Sequence, residues 1–88
     1  MQWELTYGQW YAEAQGHKTC STETYYSFRC YEHHEHKGQF WASAELFMHY
    51  FDSDERYYEC PELGPFASME EAKSAAEKWY SESMEMWG

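Results

Sequence analysis

The chain has 88 residues, with sixteen acidic side chains against six Lys/Arg and a formal charge of −10. One domain, 1–88, accounts for that length, and a chain so short buries only roughly 60% of the surface its unfolded form exposes, which argues against a large enclosed catalytic cavity. The charge argues against direct contact with DNA, RNA or anionic lipid, and leaves a basic protein as the favoured partner, including one that normally holds nucleic acid.

In chain order, "GQWYAEAQG" reads as a short strand bracketed by Gly8 and Gly16, with "WELTY" either extending it or pairing beside it. "TYYSFRCYEH" is a second strand, made β-prone by Thr24, Tyr25, Tyr26, Phe28 and Tyr31. "HEHKG" is a short loop in which Gly38 supplies a positive φ. In "QFWASAELFMHYF", Phe40, Ala42, Ala44, Leu46 and Met48 alternate with Trp41, Ser43, Glu45, Phe47 and His49. That period of two marks a half-buried strand and completes an antiparallel hairpin. The even face is apolar, and its two alanines leave room for a helix. "RYYECPELG" adds a brief edge strand stopped by Pro61 and Pro65.

The last third carries one helix. Ser68 is its N-cap and Glu71 completes a capping box, while Glu70 and Glu71 suit the positive end of the helix dipole. Met69, Ala72, Ala75, Ala76, Trp79, Tyr80 and Ser83 form one stripe at helical spacing. Glu70, Lys73, Glu77 and Lys78 fall on the solvated side, with Glu70–Lys73 and Lys73–Glu77 as candidate pairs. The small-to-bulky stripe fits packing across Ala42 and Ala44. The expected fold is α+β: an antiparallel meander of three to four strands over about 2–60, with a C-terminal helix over about 69–83, fraying after Tyr80, on one face.

Cys20, Cys30 and Cys60 have no CxxC spacing and read as free thiols of a reducing cytoplasm, with a Cys20–Cys30 bridge as the only alternative. No apolar leader opens the chain, and no apolar run is long enough to span a bilayer. His33, His34 and His36 crowd the hairpin tip; a His-x-His pair can chelate, but a zinc site needs further ligands, and neither His17, Cys20 nor Cys30 stands at a recognisable spacing. The tip therefore reads as solvated, able to become cationic below neutral pH. No metal or cofactor is expected. Catalysis lacks a phosphate loop, a GxSxG elbow or an HExxH, and Cys30 near His33 or His34 has no orienting third group, so the expectation is a non-enzyme. Asp52-x-Asp54 matches the start of a calcium loop, but Arg56 and Tyr57 stand where a ligand and a glycine are required.

"LGPFASMEEAKSAAEKW", preceded by "GQWYAEA" and "QFWASAEL", resembles small proteins encoded by bacteriophages and prophages, in which a short meander leads through Gly-x-Phe-x-Ser/Thr into an Ala-rich helix. Gly64, Phe66, Ser68, Glu70, Glu71, Ala72 and Lys73 carry the match, over about the last two-thirds of the chain. In size and charge the chain is similar to the anti-CRISPR and anti-restriction inhibitors among them. The resemblance implies a phage-type inhibitor of host defence acting in the bacterial cytoplasm.

Five Trp, nine Tyr and five Phe are more rings than one small core encloses, so several must be half exposed, as at interfaces. The expected partner-binding surface is acidic and aromatic: Glu45, Asp52, Asp54, Glu55, Tyr57, Tyr58, Glu59, Glu62, Glu70 and Glu77. Such carboxylates can stand in for phosphates in a basic groove, with the tyrosines as apolar anchors. The alternative is a structural or accessory phage protein that self-associates, as a homodimer, through Trp41, Phe47 and Tyr25.

Overall fold

The computed structural model describes residues 1–50 and 55–87. Among the described residues six strands precede one helix: β1 (Glu4–Thr6), β2 (Gln9–Lys18), β3 (Thr22–Glu32), β4 (Phe40–Tyr50), β5 (Arg56–Glu59), β6 (Leu63–Phe66) and α1 (Met69–Trp87). All pairings are antiparallel, in the order β1-β2-β3-β4-β5, and β6 also pairs with β4. The architecture is the expected α+β meander under one helix, with six strands rather than three to four.

The added strands come from local chemistry that hydrophobic alternation does not report. Tyr7 and Gly8 have φ of 51° and 77°, the two positive values of a type I′ turn, so "WELTY" folds back beside β2 as β1 instead of extending it. Gly16 does not end β2 but lies inside it, where the register against β3 shifts between Gln15 and Lys18. A Cβ on Gly16 would collide with the Thr24 hydroxyl, which accepts the His17 N–H at 2.6 Å and donates to the His17 carbonyl at 3.1 Å. The glycine is thus a bulge residue whose missing side chain admits Thr24. Pro61 separates β5 from β6, whereas Pro65 sits within β6, which as an edge strand needs no N–H on its outer side. The two short strands share the outer side of β4: β6 pairs at Phe40 and Ala42, β5 from Glu45 to Met48.

The β3–β4 hairpin is the spine. Its register runs unbroken from Thr22 opposite Tyr50 to Glu32 opposite Phe40. At its tip Gly38, with φ of 86°, donates its N–H to the Glu32 carboxylate at 2.8 Å.

Helix α1 starts as the capping pattern requires. Ser68 Oγ accepts the Glu71 N–H at 3.2 Å, and the Glu71 carboxylate reaches back one residue further than the usual box, to the Ala67 N–H at 2.9 Å. Ala72 and Ala76, 0% and 1% exposed, lie on Ala42, Ala44, Tyr26, Phe28 and Cys30. Small side chains on both layers bring the helix close, and Trp79 and Tyr80 meet Tyr26 and Phe28 edge to face at 5.6–6.0 Å. The helix runs to Trp87, past the expected end near 83, because Met84 continues the stripe and still finds core beneath it.

The solvated side assigned to the helix needs one correction. Lys73 is turned inward, its side chain only 15% exposed, with Nζ 3.5 Å from the centre of the Trp10 ring and 4.0 Å from Glu70. Its aliphatic stem covers apolar surface while the ammonium sits on the indole face. Glu77 therefore does not pair with Lys73; it accepts the Trp3 indole N–H at 3.0 Å and lies 4.0 Å from the N-terminal ammonium. Lys78 and Glu82 form the second helical pair, at 3.9 Å.

All three cysteines are free. Cys20 lies in the bend just before β3 and Cys30 near that strand's far end, and at ~3.3 Å per residue the strand between them holds the two far beyond the ~7 Å limit for a bridge. Among the described residues no helix is long and apolar enough to cross a membrane.

Candidate functional site

Helix α1 covers one face of the sheet and leaves the other open. Strand alternation sends Ala12, Tyr26, Phe28, Cys30, Ala42 and Ala44 to the covered face. Their neighbours point the other way, and the register aligns them into rungs. One rung is aromatic: Gln15, Tyr25, Phe47 and Tyr57 lie side by side across β2, β3, β4 and β5. Tyr25 and Phe47 stack at 4.9 Å with planes 8° apart, and Phe47 meets Tyr57 at 6.0 Å. The next rung is acidic: Glu13, Ser27, Glu45 and Glu59. Beyond it stand Tyr11, Arg29 and Ser43, then Tyr31 and Trp41.

Two tyrosines hold further carboxylates against this face. Tyr25 donates to Glu55 at 2.6 Å and Tyr31 to Glu62 at 2.8 Å. The Glu55 bond raises the Tyr25 phenol above its ordinary pKa; for Tyr31 burial is the larger cause, followed by the bond to Glu62. Both tyrosines stay neutral donors well above neutral pH. Arg29 lies over the Tyr31 ring at 4.9 Å and shares a depression of about 130 Å³ with Ser43, Glu45, Glu59 and Glu62. A second depression, about 380 Å³, is lined by Glu4, Tyr11, Glu13 and Ser27. Glu45 and Glu59 are direct cross-strand partners, and like charges so placed repel. Among the described residues neither they nor Glu13 is in an ion pair.

The residues expected to form one patch divide between the two layers. Glu45, Glu55, Tyr57, Glu59 and Glu62 meet on the open face. Tyr58, opposite Leu46, points to the helix side, and Glu70 and Glu77 belong to the helix layer. Asp52 and Asp54 lie outside the described residues. Glu13, Tyr11, Arg29 and Tyr31 join the face without having been singled out. The alternation read in β4 continues through the odd positions of β2 and β3 and places all four there. Of the residues expected for self-association, Tyr25 and Phe47 lie in the aromatic rung. Trp41 is half-buried: its ring lies against Gly64, where an added Cβ would stand 2.9–3.0 Å from it.

The histidine tip is a loop over 33–39, as expected for "HEHKG". His33 stacks on His34 at 5.1 Å and tilts against His36 at 4.8 Å, and its Nδ1 accepts the Glu35 N–H at 3.1 Å. Among the described residues no three His, Cys, Asp or Glu side chains are placed to hold a metal ion. Cys30 is fully buried, and burial pushes its thiol up to about 11, so a thiolate is scarce at neutral pH.

No protein-family model, curated protein or solved structure matches the chain.

Proposed function

We propose that the protein is a non-enzymatic inhibitor of phage type that binds a basic, nucleic-acid-binding bacterial defence protein, such as a CRISPR effector complex, and occludes its nucleic-acid site. The observation that carries the reading is the open sheet face, where Glu13, Glu45 and Glu59 stand in one rung without ion pairs among the described residues and next to the rung of Tyr25, Phe47 and Tyr57. Opposed carboxylates are unfavourable in the free protein. A basic groove neutralises them, and its own counterions are released as they would be by nucleic acid. The aromatic rung supplies desolvated contact that charge alone does not give.

The test is capture of partners from a bacterial lysate on immobilised protein, with elution by salt or by added nucleic acid. A nucleic-acid-binding protein released by both is expected. A partner that resists both, or one with no affinity for nucleic acid, overturns the reading.

The second reading, self-association through the same face in a structural or accessory role, is favoured by the exposure of Tyr57, 60%, beside Phe47. It predicts a dimer by light scattering that persists at high salt and dissociates on Phe47→Ala. The net charge of −10 favours the first reading.

A further inference from the structure

The aromatic and acidic rungs lie side by side, and together they specify the chemistry of the cation they suit. Phe47 and Tyr57 are each two residues from Glu45 and Glu59 on the same strands, so their backbone positions stand roughly 7 Å apart along the sheet and point to the same face. An ammonium can sit on a ring face, as Lys73 does on Trp10, but as a point charge it cannot stack flat and fork to a carboxylate at once. A guanidinium is flat, stacks on a ring and still directs a fork of N–H donors sideways to a carboxylate.

The protein already lays its own guanidinium groups on rings. Arg29 lies over Tyr31 at 4.9 Å in the depression lined by Glu45, Glu59 and Glu62. Arg56 lies over Tyr50 at 5.8 Å, so both arginines of the chain rest on an aromatic ring. On the other side of the acidic rung, Phe47 and Tyr57 offer the same pairing of ring and carboxylate, and no Lys or Arg of the described chain is stacked on either. Tyr57 is accessible there, 60% exposed, whereas Phe47 lies between the Tyr25 ring, stacked on it at 4.9 Å, and Tyr57.

We infer that the open face docks an arginine-bearing segment of its protein partner, with a guanidinium stacked on Tyr57 and hydrogen-bonded to Glu59 or Glu45, and that it discriminates arginine from lysine. The inference rests on the proposed binding of a basic protein and adds the kind of side chain that the face selects.

Two labelled peptides of equal length and charge, one carrying only arginine and the other only lysine, test it by fluorescence anisotropy against the whole protein. The arginine peptide is expected to bind about tenfold more tightly, since only it combines stacking with a forked hydrogen bond. Tyr57→Ala removes the discrimination with no change in charge, costing the arginine peptide more affinity than the lysine peptide. Tyr57 is exposed on an edge strand, so its replacement is expected to leave the fold intact. Equal affinities, no binding of either peptide, or discrimination that survives Tyr57→Ala overturns the inference. Equal, salt-sensitive binding leaves the inhibitor reading intact as a purely anionic surface. Arginine selectivity alongside a captured partner with no affinity for nucleic acid upholds the inference and removes the inhibitor reading.

Discussion

The two faces of the sheet are made by alternate residues of the same strands, yet they follow opposite rules. The covered face uses alanine where the helix crosses and keeps Phe28 and Cys30 at 1% and 0% exposure. The open face carries large rings and carboxylates, including the opposed Glu45 and Glu59, which do nothing for the stability of the isolated chain. The difference teaches that stability and recognition are assigned to different sides of one hairpin. A substitution should therefore affect one and spare the other.

The largest effect should come from removing the most buried ring. Phe28→Ala is expected to cost about 3–5 kcal/mol in denaturant unfolding, against no more than about 1.5 kcal/mol for Phe47→Ala on the opposite face of the sheet. Similar losses at the two positions would break the comparison.

Alkaline titration tests the covered face next. Cys30 has its thiol raised by burial from 9.0 to about 11, so the folded protein holds a proton that the unfolded chain releases first. Its contribution is fully present below about pH 9 and is lost as pH rises through about 11, for a fall of about 2–3 kcal/mol. Tyr26, also raised mainly by burial, adds to the same slope. Cys30→Ala should flatten the profile between pH 9 and 11 without abolishing it. An unchanged slope would mean that the thiol does not titrate as its burial requires.

How much of this was legible beforehand follows from what each signal reports. Alternation in 40–48 and the capping residues Ser68 and Glu71 gave the hairpin and the helix start, because period and cap chemistry are local. Strands β1 and β6 were less visible: one depends on a turn with Tyr7 at positive φ, and the other keeps Pro65 inside an edge. The acidic surface was only partly visible. Reading 52–62 as one segment joined Tyr57 to Tyr58, which the pleat sends to opposite faces. The partners Glu13, Tyr25 and Tyr31 come from strands distant in sequence, and only the register brings them together. Lys73 was misplaced because helical periodicity alone does not show that Trp10 offers it a ring.

Two smaller effects sharpen the division. Ser68→Ala removes the oxygen that receives the Glu71 N–H and should cost about 1 kcal/mol in thermal or chemical unfolding, with no effect on binding by the open face. Glu59→Lys turns a repulsive cross-strand pair into an attractive one and should stabilise the fold by about 0.2–1 kcal/mol while weakening capture of a basic partner. A variant that gains stability and keeps its partner would show that the acids serve some other purpose.

The most direct test of the central claim compares two triple charge reversals that change net charge equally. Glu13, Glu45 and Glu59 are replaced by Lys on the open face; Glu70, Glu82 and Glu85 are replaced by Lys on the helix. Partner capture from lysate is then measured at one salt concentration. The open-face variant should lose its partner and the helix variant should retain it, with both still folded. Equal retention, or loss in the helix variant alone, would contradict the assignment of binding to the open face.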